Sequence, residues 1–221
     1  MGRFRPVAPP LIFQLGNLLR LCERPGSARS VLLNSVQNSL TMRTLVLTCD
    51  LDKVKIVDEP MYTFGSVDNA RRYRYEIPLV SNERPTSIHG VLLNDEPIVV
   101  FGAGGGCSTV HEHSGLILDS KLYLAVGDRI VCFVLPDQRL AWSSQVDSAT
   151  CFGIYYNQGR HALLSHGELE IARIDEAGKL LWSSSGADIF SEGFRLEVEY
   201  ISAVDFEGRE YRFSYETGLL V

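Results

Sequence analysis

Residues 121–144 read KLYLAVGDRIVCFVLPDQRLAWSS, and residues 161–184, forty places later, read HALLSHGELEIARIDEAGKLLWSS. The two stretches align without a gap. Their most distinctive identities are two glycines and two tryptophans, namely Gly127 with Gly167 and Trp142 with Trp182. The same shift carries Gly178 to Gly218, so a third copy follows in one register. A fixed period of this length is typical of folds built from stacked repeat modules.

The chain after Met42 has the alternation of apolar and polar residues that is typical of strands. Apolar residues occupy every second place in four segments, 54–56, 73–77, 194–200 and 211–215. Successive side chains of a strand point to opposite faces, so this alternation predicts strands with one buried face. Denser apolar runs predict central strands covered on both faces; they are Ile98 to Phe101, Leu122 to Val126 and Ile130 to Leu135. No long helix is predicted after Met42.

Each copy of the repeat predicts two strands around a tight turn, then a polar turn and a short apolar strand that carries tryptophan. Residues 175–182, DEAGKLLW, resemble the turn-and-strand signature of PQQ-like (quinoprotein-type) β-propeller blades, and residues 216–220, ETGLL, look like a shortened second copy. The resemblance covers roughly residues 115–221 and implies that Trp142 and Trp182 pack between neighbouring blades as structural support. It does not extend to quinone chemistry, because the chain is too short for eight blades of about forty residues and has no adjacent cysteines. No cofactor is therefore expected.

These patterns predict an all-β fold with about four β-propeller-like blades, which need not be complete or regular. The expected domain covers residues 42–221, with a degenerate β part at 42–114 and the repeat part at 115–221. Thr44 to Thr48 is predicted to complete the last blade and so close the ring, because the third copy stops one place before its tryptophan position.

Residues 1–41 differ in composition, with five arginines against one glutamate. Three interpretations stay open for this segment: a flexible tail, an organellar transit peptide, or translation from a start codon upstream of the true one.

Charge and cysteine usage limit the partners. The formal net charge is -6, and because residues 1–41 carry +4, the remainder carries -10. An acidic body argues against a nucleic-acid partner, since phosphate binding needs clustered Lys and Arg. No apolar stretch reaches the roughly 18 residues of a membrane span. The five cysteines are odd in number and form no CxxC pair, which indicates reduced thiols and a cytoplasmic location. The expected partner is a protein or a small molecule.

A glycine-rich segment, Gly102 to Gly106, follows the apolar run that ends at Phe101. Its composition is similar to a dinucleotide-binding turn, but such a turn must open a helix whose N-terminus faces the pyrophosphate. The β-prone residues 107–111 leave no room for that helix. A flexible or closely packed glycine loop is the better interpretation, with Gly104 and Gly105 as candidate ligand contacts.

His111-Glu112-His113 is the most suggestive polar cluster. On a strand, residues i and i+2 share a face, so both imidazoles would face one metal ion or ligand, with Cys107 or a distant carboxylate completing the set. A solvated strand end is the competing interpretation. The repeat does not preserve His161 and His166, so both are predicted to lie in loops.

These observations predict a non-catalytic binding or scaffold protein that uses a β-repeat surface. The alternative is a metal-dependent enzyme centred on His111 and His113. GxSxG, HExxH and P-loop motifs are absent from the sequence. Enzymatic activity stays open, because catalytic triads are assembled from residues distant in sequence.

Overall fold

The structure, a computed structural model, describes residues 44–50, 52–81 and 84–221. The predictions for residues 1–41 therefore lie outside the described residues. Within the described ranges the chain forms sixteen strands in four sheets and a single 3-10 turn, Gln158–Arg160. The prediction of an all-β fold with about four blade-like sheets is confirmed. Across the same ranges, no helix has the length and apolar character needed to cross a lipid bilayer.

The first sheet has five strands and is irregular. They are β1 (Thr44–Cys49), β2 (Asp52–Asp58), β3 (Tyr75–Pro78), β4 (Ser87–Leu93) and β5 (Glu96–Ala103). Their order is β1-β2-β4-β5-β3, in which β3 runs parallel to β5 and the other pairs are antiparallel. The long segment between β2 and β4 thus contains β3, which forms the edge of the sheet beside β5.

The prediction that Thr44 to Thr48 completes the last blade is wrong. This segment is β1, which pairs with β2 from Thr44 opposite Val57 to Cys49 opposite Asp52. A tight turn joins the two strands, and Asp50 adopts the left-handed conformation there with φ of 53°. Closing so short a loop costs far less chain entropy than pairing with a strand more than a hundred residues away.

The other three sheets are antiparallel meanders in chain order. The second contains β6 (Gly115–Leu118), β7 (Lys121–Val126), β8 (Arg129–Val134) and β9 (Arg139–Gln145). The third contains β10 (Cys151–Asn157), β11 (Ala162–Gly167), β12 (Glu170–Ile174) and β13 (Leu180–Ser185). The fourth contains β14 (Gly193–Leu196), β15 (Tyr200–Val204) and β16 (Glu210–Ser214), and Leu220 adds a single bridge to Phe213.

The strand predicted over residues 194–200 is interrupted, so that prediction is wrong. Phe194 lies on β14 and Tyr200 on β15, and a turn joins them in which Glu197 N donates to Tyr200 O at 2.9 Å. Val198, at the centre of the turn, is 80% exposed. The alternation of residue types continued through this turn, which contains none of the usual turn formers Gly, Pro, Asn or Asp.

The sheets pack face to face in chain order, and each interface has its own apolar cluster. On β7 the alternating side chains serve both neighbours: Leu122 and Leu124 pack towards the first sheet, whereas Tyr123 packs towards the third. All three side chains are at most 1% exposed. A strand buried on both faces needs an unbroken apolar run, which is why 122–126 lacks polar residues. A further cluster joins the third sheet to the fourth through Leu164 and Phe213.

Trp142 fastens the second sheet to the third. It lies on β9, and its Nε1 donates to Glu176 O in the β12–β13 turn at 2.8 Å. The indole covers Gly178, where an added Cβ would lie 2.4 Å from the ring. Ser144 Oγ donates to Gly178 O beside it.

Trp182 repeats this arrangement between the third and fourth sheets. Its Nε1 donates to Tyr215 O at 2.9 Å, and a Cβ on Gly218 would lie 2.5 Å from the ring. Ser184 Oγ donates to Gly218 O at 2.6 Å. The structure therefore places the paired tryptophans and the paired glycines of the repeat in like surroundings.

Gly127 and Gly167 also lie at matching places, in the β7–β8 and β11–β12 hairpins. An added Cβ would lie 2.2 Å from Gly104 O in the first case and 2.1 Å from Asp147 Oδ2 in the second. Each hairpin tip thus abuts the loop that precedes its own sheet, and a side chain at either glycine would separate the two. Only Gly127 of the pair has a left-handed backbone, with φ of 56°.

Candidate functional site

The glycine-rich segment is packed closely against the second sheet and its following loop. Gly105 has φ of 78°, and an added Cβ there would lie 2.1 Å from Ala149 O. Gly106 N donates to Ala149 O at 2.9 Å, and Asp128 N donates to Gly104 O at 3.1 Å. Residues 107–114 form no helix. The segment therefore lacks the helix N-terminus that a dinucleotide turn requires, and its glycines allow close approach of backbone.

His111-Glu112-His113 lies in a turn before β6, so the prediction of a strand is wrong. The two imidazoles do not share a strand face. His111 Nε2 donates to Phe152 O at 2.6 Å, while His111 Nδ1 accepts from His113 N at 3.2 Å. Both ring nitrogens of His111 are thus engaged with the backbone, and the hydrogen bonds assign the proton to Nε2. Local hydrogen bonding favours a turn here because a ring nitrogen can accept from a nearby N–H.

His166 lies on β11, so the prediction that it occupies a loop is wrong for this residue. Its Nε2 donates to Phe190 O at 3.0 Å. His161, by contrast, lies beside the 3-10 turn, where its Nδ1 is 3.1 Å from the Tyr156 hydroxyl. His166 was assigned to a loop because the preceding copy has a different residue, Val126, at the equivalent place.

Burial keeps two of these imidazoles neutral. It lowers the pKa of His166 to about 4, and the nearby His111 and His113 act in the same direction. Burial also lowers the pKa of His111, an effect that the hydrogen bond to Phe152 O opposes. Removing an imidazolium from water is costly, so the neutral ring is favoured at physiological pH. The site consequently presents polar rings without a positive charge on His111 or His166.

These histidines belong to a continuous group of six rings, which we call the ring cluster: His111, His113, Phe152, Tyr155, His166 and Phe194. His113 lies over Tyr155 with ring centroids 4.5 Å apart, and Tyr155 contacts Phe194 at 4.6 Å. Phe194 stacks on His166 at 4.7 Å and an interplanar angle of 10°. The other two contacts are His166 with Phe152 at 5.4 Å and His111 with His113 at 6.1 Å.

The ring cluster brings together side chains from one loop and two consecutive sheets. Its members come from the loop before β6, from β10 and β11, and from β14. Sequence reasoning singled out His111 and His113 but missed Phe152, Tyr155 and Phe194. No local signal identifies those three, because each looks like an ordinary apolar residue of an alternating strand. Their shared property is contact across sheets, which only the fold reveals.

The remaining predicted site residues do not gather around a metal ion. Among the residues that the structure describes, no group of three or more His, Cys, Asp or Glu side chains is arranged to hold one. Cys107 is exposed, and its Sγ lies 3.5 Å from Thr86 O. His111 would have to give up a backbone hydrogen bond to ligate an ion.

Comparison with known proteins gives no family: no family model matches the sequence, and no curated protein does. Solved structures that match the fold include BamB from Moraxella catarrhalis, at 13% identity and a TM-score of 0.44, covering 68% of this chain and 50% of that chain. The computationally designed Ika4 protein matches at 10% identity and 0.41, covering 53% and 78%. The AfRom2 CNH domain matches at 14% and 0.44, covering 92% and 60%. The chain thus spans half the length of the BamB chain that it matches.

Proposed function

We propose that this chain is a binding module without catalytic activity at the ring cluster, and that the ring cluster is its contact surface. The observation that carries the proposal is the meeting of six rings, from one loop and two sheets, at one place. Phe152, Tyr155 and Phe194 are half-buried, and the side chain of His113 is 46% exposed, so part of the ring cluster is open to a partner.

The chemistry of the surface supports an uncharged or aromatic contact group in the partner. Partly exposed aromatic side chains are enriched at recognition surfaces, because they offer large contact areas with little loss of side-chain entropy. The neutral state of His111 and His166 removes the positive charge that would attract an anion. The partner of this proposal is a protein or a small molecule that presents an apolar or aromatic group.

The frame of the module is proposed to be a set of PQQ-like blades that bind no quinone. The indole docking of Trp142 and Trp182 supports the blade interpretation. The described cysteines lie far apart in sequence, unlike an adjacent pair; they are Cys49, Cys107, Cys132 and Cys151. Their wide spacing, with no CxxC pair, also supports the proposal of a cytoplasmic location, since it is typical of proteins from reducing compartments.

Affinity capture with matched variants tests the binding proposal. The full chain is immobilised as wild type, as His113→Ala and as Met61→Ala, which alters a residue that is 86% exposed in the excursion between β2 and β4. Proteins retained from a cell lysate are quantified for the three baits. A partner that uses the ring cluster should be depleted about 5- to 30-fold by His113→Ala, the effect of losing one interface anchor, and retained by Met61→Ala. Equal retention on all three baits refutes the assignment of the surface.

Metal analysis of the same preparations separates the alternative. Stoichiometric zinc in the wild type that disappears in the His111→Ala/His113→Ala double variant would support the metal-dependent enzyme instead. The hydrogen bonds of His111 lead us to expect no such zinc.

A further inference from the structure

Three residues far apart in sequence meet beside the glycine-rich segment: Asp58, His89 and Ser108. Asp58 ends β2 and lies directly opposite His89 of β4 in the ladder. Ser108 follows β5 in the loop that continues towards His111. Cross-strand neighbours of this kind project on the same face of a sheet, so β2 and β4 hold the carboxylate and the imidazole together.

The distances form a continuous chain from carboxylate to hydroxyl. His89 Nδ1 lies 3.1 Å from Asp58 Oδ1, and His89 Nε2 lies 3.1 Å from Ser108 Oγ. The Nδ1 contact is within hydrogen-bonding distance, but the ring N–H does not point along it, which leaves Nδ1 without a well-aligned partner. Catalytic hydrogen bonds are commonly misaligned until a substrate binds. The partners place a proton on Nδ1 and leave Nε2 to accept from the hydroxyl.

The surroundings fix each member in place. His89 is 1% exposed. Asp58 Oδ1 also accepts from Val110 N at 2.9 Å, which ties the serine-bearing loop to β2. Ser108 N donates to Ser87 Oγ at 2.7 Å, which fixes the backbone of the serine. Because these side chains are already held in place, less conformational entropy is lost when the transition state forms.

We propose that Ser108 is a nucleophile for acyl transfer, with His89 as its general base and Asp58 as the positioning residue. Ser108 Oγ attacks the carbonyl carbon of a small activated carboxylic ester, and its proton passes to His89 Nε2. The carbon–oxygen bond to the alcohol breaks, and His89 returns the proton to that alcohol. Water then attacks the acyl-serine with the same base, which releases the acid and restores the hydroxyl.

Ser108 Oγ accepts a hydrogen bond from Gly127 N at 3.0 Å, which fixes the position of the hydroxyl oxygen and leaves its proton to be donated to His89 Nε2. The site differs from the ring cluster in residues and in chemistry, and the inference goes beyond the proposed binding function. The Ser108 proposal is tested by covalent labelling and the ring-cluster proposal by reversible capture, so the failure of one does not affect the other.

Labelling with a fluorophosphonate probe tests the inference on the full chain. The wild type should acquire one phosphonyl group, located on Ser108 by peptide mass spectrometry. Ser108→Ala should lose the label, and Ser148→Ala, which removes an exposed serine of the β9–β10 loop, should keep it. A wild-type chain that stays unlabelled after prolonged incubation, or a label on another serine, overturns the proposal.

The role of Asp58 is tested through Asp58→Asn, which retains an acceptor for Val110 N. The labelling rate should fall on the order of 10²-fold or more, with a changed pH profile, while the melting temperature stays close to that of the wild type. A purely structural Asp58 would change neither the rate nor the profile once the variant is folded. Unchanged kinetics in a folded Asp58→Asn chain would therefore remove Asp58 from the mechanism.

Discussion

Gly178 offers the sharpest test of the indole docking, because the chain provides a matched control in Gly208. Both glycines close a turn in which an aspartate precedes them by three residues and a basic residue follows. In both turns the glycine N–H donates to the aspartate carbonyl, at 3.0 Å from Gly178 to Asp175 and at 2.9 Å from Gly208 to Asp205. Their φ angles are 83° and 79°. The difference lies in the space: Trp142 covers Gly178, whereas no atom lies within 4 Å of a Cβ on Gly208.

Substitution by alanine should therefore separate backbone strain from loss of docking. Gly208→Ala is expected to lower the free energy of unfolding by about 1 kcal/mol, the cost of a left-handed non-glycine residue. Gly178→Ala carries the same cost and must also displace an indole that would lie 2.4 Å from the new methyl. Loss of the Nε1 hydrogen bond adds about 1 kcal/mol, and lost burial of the ring adds on the order of 1–2 kcal/mol. The expected total is about 3–4 kcal/mol.

Urea unfolding followed by tryptophan fluorescence measures both values. The chain has two tryptophans, so displacement of Trp142 should also shift the native emission to longer wavelength in Gly178→Ala and leave it unchanged in Gly208→Ala. Equal losses of stability in the two variants, with equal native spectra, would refute the reasoning that Gly178 is needed for the Trp142 indole to pack on the turn.

Three further predictions concern the loops and the ring cluster. Because the pKa of His166 is about 4 in the fold and 6.5 as its ordinary value, the unfolded chain binds the proton first on acidification. Stability should fall by up to about 3 kcal/mol between pH 6.5 and 4, and His166→Gln should flatten this dependence in urea titrations at several pH values. Asp147→Ala should destabilise by about 2–4 kcal/mol in thermal unfolding, since it leaves three backbone N–H donors without their acceptor, those of Ala149, Leu169 and Glu170; Asp147→Asn should cost less. Gly105→Ala should cost more than 2 kcal/mol by chemical denaturation because of backbone strain and overpacking, and a change within 0.5 kcal/mol would show that the segment is open.

The repeat made most of the fold predictable from sequence. Strands buried on both faces have continuous apolar runs, whereas strands with one buried face alternate apolar and polar residues. Residues 122–126 were predicted correctly as a central strand for that reason. The pairing of β1 was mispredicted because alternation reports the burial of a strand and is silent about its neighbour. Val198 shows a second limit: a turn without glycine, proline, asparagine or aspartate keeps the alternation of residue types intact.

The candidate site was less predictable, for a different reason. His111 and His113 attracted attention because they are close in sequence. The ring cluster and the group around Ser108 both depend on contacts between residues from separate strands or sheets, as between Tyr155 and Phe194. Hydrophobic periodicity places a residue on a face, but the partner on the opposing surface is set by tertiary packing. Such sites become visible only after the strands are assembled.

The indole docking also gives the array a direction. At the two junctions that follow the second sheet, the tryptophan comes from the earlier module and the glycine turn from the later one, as in Trp142 with Gly178 and Trp182 with Gly218. A tandem duplication of one forty-residue unit would copy a tryptophan and a glycine turn together. Every added indole would then meet a compatible turn without any compensating mutation, so the architecture can change in length through single genetic events.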